Sequence, residues 1–143
     1  MAVSDQVARL QRRLEALPER VREAAQASVV KRATPMADMM RRFAPDDPAT
    51  DAPDLKSSIV ITPPGQPTPA YSQPGGSKVA GPLEAVITVG NEDVRYPHLL
   101  EYGTSKMEAQ PFFWIVVRLL QRSTKRGLKR DIAKAIRDWK AGK

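Results

Sequence analysis

Twenty residues near the middle of the chain, Pro63 to Pro82, hold six prolines and four glycines. Proline lacks the amide that a helix or inner strand would use, and glycine is costly to order, so this stretch belongs to neither kind of element. It is also far longer than the roughly two to five residues of a common hairpin loop. Short β-branched runs flank it, Leu55 to Thr62 (LKSSIVIT) and Leu83 to Val89 (LEAVITV), and these read as strands. The expected arrangement is an antiparallel hairpin with a long loop. That loop is either an extended arm that orders on a partner through Tyr71, its one aromatic residue, or plain disorder.

Both ends of the chain are helical in pattern. From about Ser4 to Phe43, Val7, Leu10, Leu14, Leu17 and Val21 recur at three- and four-residue spacing, with Ser4 as a plausible N-cap. Pro18 predicts a kink, or a break with Pro18 as the first residue of a new helix, and Thr34-Pro35 predicts a second kink. Met36, Met39, Met40 and Phe43 close the helix with an apolar stripe. Ala44 to Asp54 (APDDPATDAPD) reads as a linker. Its four aspartates lack the central glycine and terminal glutamate of a helix-loop-helix calcium site.

Beyond the turn at Gly90-Asn91, Pro97 opens a short helix through Glu101 that Gly103 would end. Pro111 would start another to about Leu120, with Phe112, Phe113, Ile115, Val116, Leu119 and Leu120 as the heart of the core. A last helix, about Thr124 to Lys140, carries Leu128, Ile132, Ile136 and Trp139 on one stripe. The 143 residues suit one α+β domain: a helical region 1–43, a small antiparallel sheet with the 63–82 loop, and C-terminal helices with a basic segment 118–143.

The net charge of +7 is all in that last segment, since Arg118 to Lys143 has ten Lys and Arg against two Asp and Glu. Lys125, Arg126, Lys129, Arg130, Lys134 and Arg137 suit phosphates such as those of DNA, an acidic partner protein, or simple solvation. No apolar run approaches the roughly 20 residues of a membrane span and the N-terminus has no secretory pattern, so a soluble protein made in the cytoplasm is expected. Without cysteine there is no disulfide, thiolate site or thiol nucleophile. His98 is the only histidine and reads as a helix-start or core residue; Glu101 and Glu108 have no evident partner for acid-base work. Metal clusters, phosphate loops and dinucleotide fingerprints are missing, so neither an enzyme nor a cofactor is expected.

The order of the segments then matters: a long helix, Ala44-Pro45, Leu55-Lys56-Ser57-Ser58-Ile59, a strand ending in Val89-Gly90, Glu101-Tyr102-Gly103-Thr104-Ser105-Lys106-Met107, and Pro111-Phe112. This resembles the tail-completion, or neck, proteins of long-tailed phages, of the minor tail protein Z type, which also occur in prophages and gene transfer agents. The resemblance covers about Met36 to Leu120. It departs where Ala52-Pro53-Asp54 stands in place of a threonine-glycine pair, and in the 63–82 insertion. It implies an α+β domain that joins a homo-oligomeric ring at the head-tail interface, six copies preferred and twelve the alternative, between a stopper or adaptor and the tail terminator. It implies a virion protein with no cofactor and no catalytic residues. Tyr71, Glu101, Gly103, Thr104 and Lys106 are the candidate interface residues, with Gly103 allowing a reversal, Thr104 bonding it, and Glu101 meeting a positive group of its own or a neighbouring subunit; a turn that serves only its own subunit is the equal alternative. The competing expectation is a stand-alone nucleic-acid-binding protein driven by the basic segment.

Overall fold

A computed structural model describes residues 2–45 and 55–142. The aspartates of the predicted linker lie outside these residues, as do the side chains of Val7, Leu10 and Leu14 in the predicted first stripe. The element order is α1 (Ala2–Glu15), α2 (Glu19–Phe43), one 3-10 turn (Lys56–Ser58), β1 (Val60–Thr62), β2 (Val86–Thr88), α3 (Pro97–Tyr102) and α4 (Trp114–Lys140).

The chain breaks at Pro18, which caps α2 from the position before its first residue and not from inside it as predicted. Arg22 secures the corner by donating to the carbonyls of Glu15 and Leu17. Ser4 is no cap, because α1 starts ahead of it at Ala2. At Pro35 the chain does not break: α2 continues through it, the ring is exposed, and the Thr34 hydroxyl bonds back to the Val30 carbonyl. The helix stops at Ala44, whose extended backbone (ψ 130°) is the conformation that the following Pro45 imposes.

Two strands of three residues pair antiparallel, Val60 with Thr88 and Thr62 with Val86. The proline-rich loop between them carries its own ladder. The Thr68 amide donates to the Lys78 carbonyl at 2.7 Å, and the Ala80 amide to that of Gln66 at 2.8 Å. The loop then folds back so that Gln73 exchanges two backbone bonds with Val89, just past the end of β2. A loop this long holds its shape because its backbone groups find partners within it and on the sheet.

The core lies where the end of α2, the sheet and the start of α4 meet. Phe112, Met40, Ile59, Val94 and Val116 are fully buried there, with Met36 and Met39 against them. Ser58 spans the centre, donating to the Leu55 carbonyl at 2.6 Å and accepting from the Gly90 amide at 3.1 Å. Phe43 departs from the predicted stripe and is 45% exposed, as are Leu119 (60%) and Ile115 (37%) from the predicted core.

Predicted helices 111–120 and 124–140 are one. Nothing between Leu120 and Thr124 is a helix breaker, and the Ser123 hydroxyl bonds the Leu120 carbonyl within the helix. Small residues on α2, Ala25, Ser28, Ala33 and Ala37, let α4 run antiparallel alongside it, with Met40 near Val116 at one end and Arg20 near Trp139 at the other. Leu128, Ile132 and Ile136 are half-buried, and Trp139 is 46% exposed.

Candidate assembly interface

Pro97 pre-sets the first turn of α3, and Gly103 ends the helix at φ +75° with its amide on the Leu99 carbonyl at 2.9 Å. A Cβ at Gly103 would meet the Ala109 amide nitrogen at 2.8 Å, so both the torsion and the close approach demand glycine. The reversal is tied by the Thr104 amide on the Met107 carbonyl (2.8 Å) and by the Thr104 hydroxyl, which accepts from the Lys106 amide (3.2 Å). Lys106 is exposed on this turn. The chain returns alongside α3, where the Gln110 amide donates to the Leu100 carbonyl at 2.7 Å.

Glu101 is therefore aimed at the start of α4. Its carboxylate accepts from the amides of Phe112 (2.9 Å), Phe113 (3.0 Å) and Trp114 (3.1 Å). Within the chain its partners are backbone amides and not the cationic group expected for it. Those of Phe113 and Trp114 are among the amides that a helix start leaves unpaired, and a negative charge there also faces the positive end of the helix dipole. One residue thus fixes α3 to α4.

Around this joint an aromatic surface stands open. The Trp114 indole donates to the Tyr102 hydroxyl at 3.1 Å and meets the Phe113 ring edge to face, 5.0 Å between centroids. Tyr102 is 71% exposed, and Ile115 and Leu119 continue the apolar surface one turn apart along the outside of α4. A groove of about 300 Å³ runs beside it between Gln73, Pro74, His98 and Trp114. His98 starts α3 as predicted, but is exposed and not core, with its Nδ1 3.2 Å from the Gln73 side-chain nitrogen. Tyr71 stands apart from this joint in the loop, at φ +62°, with the Arg95 guanidinium 3.8 Å over its ring.

A second surface lies further along α4. Lys125, Arg126, Lys129, Arg130, Lys134 and Arg137 are all exposed, and no ion pair among the described residues involves any of them. Asp131, on the side facing α2, accepts two bonds from the Arg32 guanidinium at 2.7 Å and one from the Ser28 hydroxyl at 2.7 Å. Those bonds, Arg32's first and then Ser28's, hold the Asp131 carboxyl far below the usual carboxylate range. The sequence reading missed this clamp. Its signal was one of only two carboxylates in an otherwise cationic helix.

Among the described residues no group of His, Asp and Glu gathers to hold a metal, and no helix is long and apolar enough to cross a membrane. A family model described as "Bacteriophage HK97-gp10, putative tail-component" matches residues 8–103. The chain belongs to this HK97-gp10-like family. The match takes in α1 from Ala8 onward, α2, the sheet with its loop, and α3 as far as the Gly103 reversal, and it stops before α4. A phage tail component is a structural protein of the virion. No curated protein and no solved structure matches the chain.

Proposed function

We propose that this phage tail component is a tail-completion protein of the neck, of the minor tail protein Z type, in a siphophage-like particle or gene transfer agent. It assembles in the bacterial host cytoplasm and stays in the virion. There it forms a ring, of six copies because tails are built on six, with twelve as the alternative, that joins the tail terminator to a stopper or adaptor of the head connector. It contributes surfaces and not a reaction.

The observation that carries this reading is membership of the HK97-gp10-like family across both N-terminal helices, the sheet and α3. The geometry supports it further. A ring needs two different sticky patches on each subunit, and the exposed ridge of Tyr102, Trp114, Ile115 and Leu119 differs in kind from the cationic remainder of α4. Exposed aromatic residues that have a rigid backing are typical anchors of protein interfaces. Glu101, Gly103 and Thr104 provide that backing, Lys106 lies exposed on the adjoining turn, and Tyr71 is a separate contact in the loop.

The test is made in particles. A gene carrying Trp114→Ala with Leu119→Glu should yield a folded chain, since both residues are partly or largely exposed, yet leave filled heads and finished tails unjoined. Normally joined particles from that variant would contradict the proposal.

A further inference from the structure

We infer that the outer face of α4, from Arg118 to Lys140, binds the phosphate backbone of duplex DNA without reading bases. Arg118, Arg122, Lys125 and Lys129 follow one another at four-, three- and four-residue steps, which sets them in a single row along the helix. At 1.5 Å per residue the row spans about 16 Å, and Lys140 extends the charged face to about 33 Å. All five are exposed.

Three observations separate this face from an ordinary solvated one. First, its charge is of one sign. The basic residues of α1 and α2 are interleaved with acids such as Glu15, Glu19 and Glu23, whereas both acids of α4 point the other way: Asp131 is clamped by Arg32, and Asp138 lines a groove with Arg20 and Ala24 of α2. Second, the row is unpaired among the described residues, so like charges repel one turn apart. A polyanion laid along the helix relieves that repulsion.

Third, exposed apolar side chains stand only at the two ends of this face, Leu119 at one and Trp139 at the other. Between Gln121 and Asp138 no large hydrophobic side chain is among the exposed ones, and Ala133 and Ser123 fill the gaps. A protein partner is held mainly by buried apolar and aromatic contacts, with charge depleted from the centre. A DNA backbone is held chiefly by cations, through release of its counterions, and needs no apolar anchor. The apolar ridge at Ile115 and Leu119 thus suits a protein, and the row beyond it suits phosphate.

The test uses the full chain and two duplexes of unrelated sequence, titrated between about 50 and 200 mM salt. Both duplexes should bind equally, with log K falling against log salt at a slope of about −4, from about 0.9 for each phosphate contacted. The variant Arg122→Gln, Lys125→Gln, Lys129→Gln should flatten that slope by about 2.7. The variant Arg9→Gln, Arg12→Gln, Arg13→Gln on α1 should leave it unchanged. Circular dichroism of each variant establishes that it is folded. No duplex binding at the lowest salt would overturn the inference. So would a slope insensitive to the α4 variant or lowered equally by the α1 variant, or tighter binding to polyglutamate, which would assign the face to an acidic protein. Sedimentation in the same buffers reports subunit association separately, so a chain that forms rings and ignores DNA refutes this inference and leaves the neck reading intact.

Discussion

A Cβ on Gly127 would lie 2.7 Å from the Cζ and Nη1 of Arg32, whose guanidinium rests across α4 at that point. In a free helix, glycine to alanine gains about 1 kcal/mol. Here the methyl needs space occupied by a group that Asp131 holds with two bonds. Gly127→Ala is thus expected to destabilise the native chain, but to stabilise an Arg32→Ala background by about 1 kcal/mol. Denaturant midpoints of the four proteins measure this, and equal effects in both backgrounds would refute the clamp. The same clamp sets an acid limit. Asp131 in the folded chain titrates below the roughly 3.9 of an unfolded aspartate. Its contribution is therefore complete above about pH 4 and lost as pH falls further, because protonation then favours the unfolded chain. Asp131→Asn should lower the melting temperature at pH 6 and narrow the fall between pH 6 and pH 3 relative to the native protein. Glu101 bears on the joint: Glu101→Ala frees three amides at the start of α4 and should cost about 1–2 kcal/mol in chemical denaturation. Glu101→Gln, which keeps one carbonyl oxygen, should lose less.

Among the elements, α2 holds the clearest local conflict. Pro35 removes an amide from the interior of a 25-residue helix that nonetheless runs through it. Tertiary packing of the Ala25, Ser28, Ala33 and Ala37 face along α4 lets the helix continue past the lost bond. Pro35 is exposed, so Pro35→Ala should stabilise by about 1–3 kcal/mol, seen as a raised denaturant midpoint; no change would mean that the missing bond is already compensated. Features with a local composition or turn signal were legible in advance: the two β-branched strands, Pro97 opening α3, Gly103 ending it and Thr104 tying the turn. Those set by distant partners were not. Arg32 and Asp131 stand 99 residues apart, and Glu101 reaches amides 11 to 13 residues on. The apolar run around Phe112 was legible as core only in part, because helical periodicity in α4 turns Ile115 and Leu119 outward while Val116 goes in.

For the molecule as a whole, the notable arrangement is how α4 divides its work. One side packs on α2, the first outer turns carry an apolar ridge, and the remainder of the outer face carries cations. The family match ends at residue 103, so these outward surfaces lie beyond the matched region, on a helix held in place by Glu101 and Arg32 from within it. That division suits a subunit with different neighbours on different sides, which is the central claim of the neck reading. Electron cryomicroscopy of intact particles tests it most directly. The expected result is a closed ring of this chain between head and tail, six copies around the axis, with the Trp114 ridge covered by an adjoining subunit. Particles with normally joined tails and no density for the chain at the neck would contradict it.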